Sequence, residues 1–212
     1  MSSQDQQINQ ETNRSGESVD YRPMSLEQHH PEQVAGLIYE SSPELFSLMF
    51  GSHGIQSLTQ LVQGDYNRFS YQYVRVAQID EQVVGVAVMV PAEKVHAATD
   101  FQTLSYPQQL RLGLVKRLIV PFVLQQNYPQ GSFYIGNLAV DSRYRNQGIG
   151  QQLLLNCIDE AAASSGSIYI SVDVDNVRAQ KLYQSMGFQL VQEKVIRLGG
   201  FRVGSLVLAL SP

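Results

Sequence analysis

The run from Asn137 to Gly150, NLAVDSRYRNQGIG, constrains the fold more than any other part of the chain. It opens on apolar Leu138 and Val140, turns through Arg143 and Arg145, and closes on Gly148 and Gly150, where a helical spacing of apolar residues begins. A strand therefore hands over to a helix within a few residues. The first amides of a helix lack internal partners, and its aligned peptide dipoles make that end partly positive, so the turn suits an anion such as a pyrophosphate. Glycine at 148 and 150 leaves the main chain approachable where a β-carbon would obstruct a ligand, and Arg143 and Arg145 offer charge-assisted bonds. A Gly-x-Gly pair also serves plain strand-to-helix turns, so the turn by itself leaves the phosphate reading open.

Around this turn the apolar period switches between helix and strand. Tyr21 to Met24 reads as a short first strand. Pro31 suits a first helical position, and Val34, Ala35 and Ile38 then share a face. Ser42 and Pro43 open a second helix that Gly51 can end, and Ile55, Leu58, Leu61 and Val62 repeat the spacing up to Gly64. Tyr71 to Ile79 alternates as a strand, Asp80 and Glu81 supply a turn, and Gln82 to Val90 is a more apolar strand in which Gly85 marks a bulge. Within an irregular stretch of about 91–130, Leu110, Leu114, Leu118 and Phe122 share one wide helical face, which fits a core helix, a lid over a cavity or a homodimer contact. Ser132 to Val140 is the strand that feeds the turn, and Ile149, Leu153, Leu154, Cys157, Ile158 and Ala161 form a helical stripe after it. Ile168 to Asp175 is another strand, Asn176 caps a helix that stops at Gly187, and Gln189 to Leu198 and Phe201 to Leu210 are two final strands. Helices crossing between strands, together with hairpins, predict a mixed α/β domain.

Composition narrows the function. The 212 residues suffice for one domain with a sizeable core, expected over residues 19–212. Residues 1–18 are polar and rich in Gln, Ser and Asn, which predicts a disordered tail with no secretory signal. No window reaches the ~20 apolar residues that span a bilayer; a cytoplasmic protein without membrane contact is expected. A formal charge of −4 gives no general pull toward nucleic acid, so a polyanionic ligand would need locally placed cations. Cys157 is the sole cysteine, which excludes an internal disulfide and a Cys-based zinc site, and its place on an apolar stripe predicts a packing residue. His29, His30, His53 and His96 show no metal-ligand spacing and are expected in solvated loops, so no metal is predicted.

Asn137 to Gly150, taken with Asn176 to Phe188 (NVRAQKLYQSMGF), resembles the GNAT superfamily of acyl-CoA-dependent N-acetyltransferases. The likeness is close over about residues 133–188 and rests elsewhere on element order. It implies a mixed sheet of about six to seven strands, flanked by helices and splayed at two central parallel strands. It also implies acetyl-CoA as co-substrate and transfer of its acetyl group to a primary amine. The family's pyrophosphate loop corresponds to Arg145, Asn146, Gln147, Gly148, Ile149 and Gly150, and the pantetheine arm would lie along Leu138, Ala139 and Val140. By the same resemblance, Asn176 helps to hold that arm and Tyr183 is the general acid for the departing sulfur.

The general base is not legible. Relatives carry a glutamate in the strand that holds Val140, or one just before the valine of the next strand, but Phe133 to Val140 has none and the second position is Ser171. Asp173, Glu40 and Glu44 are candidates, and a water chain is another. Glu40 and Glu44 with Tyr39, Phe46, Phe50, Tyr66 and Tyr71 are expected to line an acceptor pocket for a cationic or amphipathic amine. A small molecule is preferred, with a protein N-terminus or lysine second. The rivals are a non-catalytic acyl-CoA-binding module and an interaction domain that has lost cofactor binding.

Overall fold

The structure, a computed structural model, describes residues 9–12, 16–65, 67–95, 113, 128–198 and 201–211. Its strands are β1 (Asn9–Thr12), β2 (Ser18–Pro23), β3 (Val74–Ile79), β4 (Gln82–Pro91), β5 (Phe133–Val140), β6 (Ile168–Asp173), β7 (Gln189–Leu198) and β8 (Phe201–Leu210). They form one eight-stranded sheet in the order β1-β2-β3-β4-β5-β6-β8-β7. All neighbours are antiparallel except β5 and β6.

Two helical layers cover the sheet. One holds α1 (Pro31–Ser41), α2 (Pro43–Phe50) and α3 (Gly54–Gln63), whose apolar faces pack with Val74, Val76, Val86, Val88 and Tyr134. On the other face, α5 (Ile149–Ala163) buries Ile149, Leu153, Leu154 and Cys157 against Val84, Ala87, Met89 and Ile135, and α6 (Val177–Ser185) adds Tyr183. Covered on both faces, β4 is buried from Val83 to Val90, which is why its sequence is a continuous apolar run and not an alternation. Arg75 of β3 ties the sheet to α5 through a two-pronged pair with Glu160, its Nε 2.7 Å from Oε2. Cys157 is fully buried, and burial pushes its thiol up to about 12, so it packs as an inert thiol.

Several boundaries differ from expectation. Residues 9–12 are not tail: Asn9 to Thr12 pair with Tyr21 to Ser18, which adds an eighth strand at the sheet edge. Main-chain bonds join such a strand without apolar side chains, so the polar sequence carries no signal for it. β2 begins at Ser18 and β3 only at Val74, because Ser70 caps a 3-10 turn over Tyr71–Tyr73 by accepting the Gln72 amide. Val84, beside Gly85, is the extra residue of the β4 bulge. Of the stretch after β4, a short helix α4 (Ala92–Val95) is seen, whereas the apolar face from Leu110 to Phe122, Tyr66, His96 and residues 1–8 lie outside the described residues.

The central strands part as the resemblance implies. β5 and β6 pair only from Phe133↔Ile168 to Ile135↔Ile170, although β5 runs on to Val140 and β6 to Asp173. At the parting point β5 bulges: Met89 faces Ile135 and Val88 faces Asn137, leaving Gly136 unpaired. A bulge bends its strand and raises the local twist, and here it steers β5 away from β6.

Candidate active site

Beyond Gly136, β5 is bonded to β4 on one edge while its other edge faces the gap. This edge, Leu138, Ala139 and Val140, leads into the turn. The Asp141 amide donates to the Val84 carbonyl, and the Asp141 carboxylate accepts from the Arg143 amide. The Arg143 guanidinium closes back onto that carboxylate at 2.7 Å and, as the main cause, holds it below the usual carboxylate range. Arg145 donates from Nε to the Val140 carbonyl at 2.9 Å and lies 3.6 Å from a Glu40 oxygen. Both arginines thus engage partners within the loop region while their side chains stay exposed.

The main chain of the loop suits an anion as well. Asn146 (φ 67°) and Gly148 (φ 91°) are both left-handed, and successive amides around such residues converge on a concavity that suits anions. Gly148 begins α5 without a side-chain cap, and nothing lies within 4 Å of the place a β-carbon would take. The positive φ favours glycine there, and the open space leaves the amides approachable. Arg178 of α6 donates to Asn146 Oδ1 at 2.7 Å and braces the loop from across the gap. The bond spans 32 residues, so no local spacing signals Asn146 as its partner.

Asn176 caps α6 and Tyr183 is its buried residue. Asn176 Oδ1 accepts the Ala179 amide at 3.1 Å, so its side chain caps the helix as its position predicts. Tyr183 is 6% exposed and its ring lies 6.0 Å from that of Phe188. Burial pushes the phenol well above the ordinary tyrosine range, with Tyr134 adding to the effect.

The sequence profile of the acetyltransferase (GNAT) family matches residues 38–188. The chain belongs to this family. N-alpha-acetyltransferase RimI of Mycobacterium tuberculosis is 38% identical over 63 residues, 30% of this chain and 39% of that protein. Matches to curated relatives span only 17 to 39% of their length. Among solved structures, an N-acetyltransferase from Staphylococcus aureus Mu50 superposes with a TM-score of 0.64 at 21% identity, covering 86% of this chain and 98% of that one. A GNAT family acetyltransferase from Elizabethkingia anophelis with acetyl-CoA bound gives 0.52 at 16% identity, covering 92% and 98%. At these identities both likenesses concern the fold.

In this GNAT chain the expected acceptor residues disperse. Glu40 pairs with Arg145 beside the loop, Glu44 is exposed in the first turn of α2, and Asp173, also exposed, accepts the Asp175 amide. Phe46 and Phe50 are 2% exposed and stack with one another and with Tyr39, so they form core and not lining. Asn137 of β5, 8% exposed, instead donates from Nδ2 to Ser41 Oγ at 2.7 Å, and Ser41 donates to the Ile38 carbonyl. Asn137 Oδ1 and Ser171 Oγ are buried without hydrogen-bond partners. His29 is buried too, a correction to the solvated-loop expectation. Its Nδ1 accepts the Ser25 amide at 2.9 Å, which leaves the proton on Nε2 to donate to Gln78 Oε1 at 3.1 Å. Among the described residues, no three His, Cys, Asp or Glu side chains cluster to hold a metal, and no helix is long and apolar enough to cross a membrane.

Proposed function

We propose that this chain transfers the acetyl group of acetyl-CoA to a primary amine on a small molecule, by direct attack. The observation that carries the reading is the continuity of the unpaired β5 edge with the left-handed amide turn at 146–148, which offers a bonding track for an extended amide-bearing arm that ends in a pyrophosphate. Gly148 to Gly150 would hold the diphosphate through main-chain N–H groups, and Leu138 to Val140 would pair with the arm. When bound, acetyl-CoA supplies an acyl thioester. The main-chain N–H groups near Val140 would polarise its carbonyl. The new carbon–nitrogen bond forms as the carbon–sulfur bond breaks, and the proton lost by nitrogen goes to sulfur.

Tyr183 would hold its proton beside that sulfur. Its raised pKa keeps the phenol neutral throughout the working range, so it acts as a hydrogen-bond donor that strengthens as negative charge builds. Glu40 is engaged with Arg145 and Asp173 accepts the Asp175 amide, so a water chain is the proposed route for the amine proton.

A second reading, acetylation of a protein N-terminus, is favoured by the match to the N-alpha-acetyltransferase RimI. A CoA-release screen against amino acids, polyamines, aminoglycosides and peptides tests both, with calorimetry for CoA affinity and Tyr183→Phe alongside. Cofactor binding without CoA release across that panel would replace the enzyme reading with a non-catalytic acyl-CoA-binding module; no CoA binding would remove both.

A further inference from the structure

At the point where β5 and β6 part, on the face covered by α1 to α3, a cation stands without a counter-ion among the described residues. Arg68 is half-buried, pairs with no carboxylate among the described residues, and has its Nε buried without a hydrogen-bond partner. Its guanidinium carbon lies 5.2 Å from the ring centre of Phe69 and 5.6 Å from that of Tyr134. Its Nη2 lies so close to the unpaired Gly136 that a β-carbon there would collide with it. The bulge of β5 and the guanidinium therefore occupy one place by mutual fit.

Two polar groups occupy strand positions next to the parting point. Asn137 follows Gly136, and Ser171 is the first β6 residue beyond the last β5–β6 pair. Asn137 Oδ1 and Ser171 Oγ are both buried without partners. The surroundings are aromatic: the Tyr128 ring lies 5.2 Å from Tyr134 and 5.3 Å from Tyr169. A partly desolvated guanidinium with no carboxylate partner among the described residues is costly unless something completes it, and so are buried oxygens with open valences.

We infer that the acceptor is an amino carboxylate, its carboxylate bound by Arg68 and its amine by Asn137 Oδ1. The inference rests on the acetyl-transfer reading and names the acceptor of that same site. Arginine presents a planar fork that matches a carboxylate with two parallel bonds, whereas Asn137 Oδ1 can only accept, which suits an amine N–H. The aromatic rings favour an apolar or aromatic side chain on the carbon that carries both groups. This departs from the cationic acceptor expected from Glu40 and Glu44, because those carboxylates sit elsewhere and the charge at the parting point is positive.

The test uses the full chain and matched sets of three amines: an α-amino acid, its carboxamide and the decarboxylated amine, in aromatic and aliphatic series. The acid should exceed its carboxamide by about 30- to 100-fold in kcat/KM, mainly through KM, the factor expected for a hydrogen bond between charged groups. In Arg68→Gln the preference should vanish while CoA affinity by calorimetry stays normal, which also reports that the variant is folded. Arg68→Lys, which keeps the charge and loses the fork, should retain part of it. Equal turnover of acid and carboxamide by the unaltered protein, a preference that survives Arg68→Gln, or acetylation confined to peptide N-termini would each overturn the inference while leaving acetyl transfer intact. Should no amine be acetylated, the acetyltransferase reading falls. Calorimetry of the same amino acids against the CoA complex then decides the acceptor site: Arg68-dependent binding upholds it, and no binding ends it.

Discussion

The two sides of the β5–β6 gap are built from different kinds of groups. Toward α5 the groups that the proposal assigns to the cofactor are main chain, namely the free edge of Leu138 to Val140 and the turn with left-handed Asn146 and Gly148. Toward α1 to α3 the groups that the proposal assigns to the acceptor are side chains from distant segments: Arg68 against Gly136, and Asn137, which is bonded to Ser41. A diphosphate-bearing arm has one shape, so a backbone cradle suffices for it. Acceptors differ in charge and size, and side chains on a separate layer can vary without disturbing that cradle. The comparison also separates two uses of charge. Arg143, Arg145 and Arg178 each have a partner in the loop region, while Arg68 has none among the described residues.

The sharpest way to break this contrast is Phe46→Ala. If the aromatic residues of α2 are core, the substitution costs about 3–5 kcal/mol of stability in denaturant unfolding, with KM for the amine little changed at temperatures where the variant is folded. A large KM effect with normal stability would make them lining after all. Next, Gly148→Val should weaken CoA binding by about 100-fold in calorimetry, since a β-branched residue at φ 91° adds roughly 1–3 kcal/mol of strain and fills the open space beside the amides. Unchanged affinity would mean that the turn does not hold the diphosphate.

Tyr183→Phe should lower kcat roughly 10- to 100-fold with CoA affinity preserved. For the unaltered protein, the raised phenol pKa means the proton is retained as pH rises through the ordinary tyrosine value of 10.0, so kcat should show no loss from this group up to about that pH. A smaller effect, about 3- to 10-fold in CoA affinity, is expected for Arg178→Ala, which removes one bond that braces the loop.

The smallest concerns stability and lies outside the gap. His29 has a pKa below its ordinary 6.5, chiefly through burial. Between that folded value and 6.5 the unfolded chain binds more protons, so stability is complete above 6.5 and declines as pH falls through the window. Thermal unfolding between pH 7 and pH 5 should show that decline. His29→Gln, with no group to titrate, should flatten it.

The elements after Ser132 were legible almost residue by residue. β7 and β8 have the expected bounds, and Asn176 caps α6 as its position predicts. These features depend on neighbours in sequence: a cap reads amides three residues away, and a strand shows its period in its own side chains. The polar strand β1 escaped because its pairing uses main-chain groups that every residue has. Arg145 and Glu40 were each marked, but for different sites, and Arg68 was passed over entirely.

By itself the sequence determined the turn: two glycines after a strand, at the start of an apolar stripe, leave a chain few ways to proceed. Only the tertiary structure decided which charges are engaged and which stand open. Asn137 meets Ser41 across 96 residues, and Arg68 meets Gly136 only because β5 bulges there. Such pairings depend on sheet register and on how the helical layer lies over the strands. Both are settled by the packing of the whole core, and so they leave no local mark on the residues that meet.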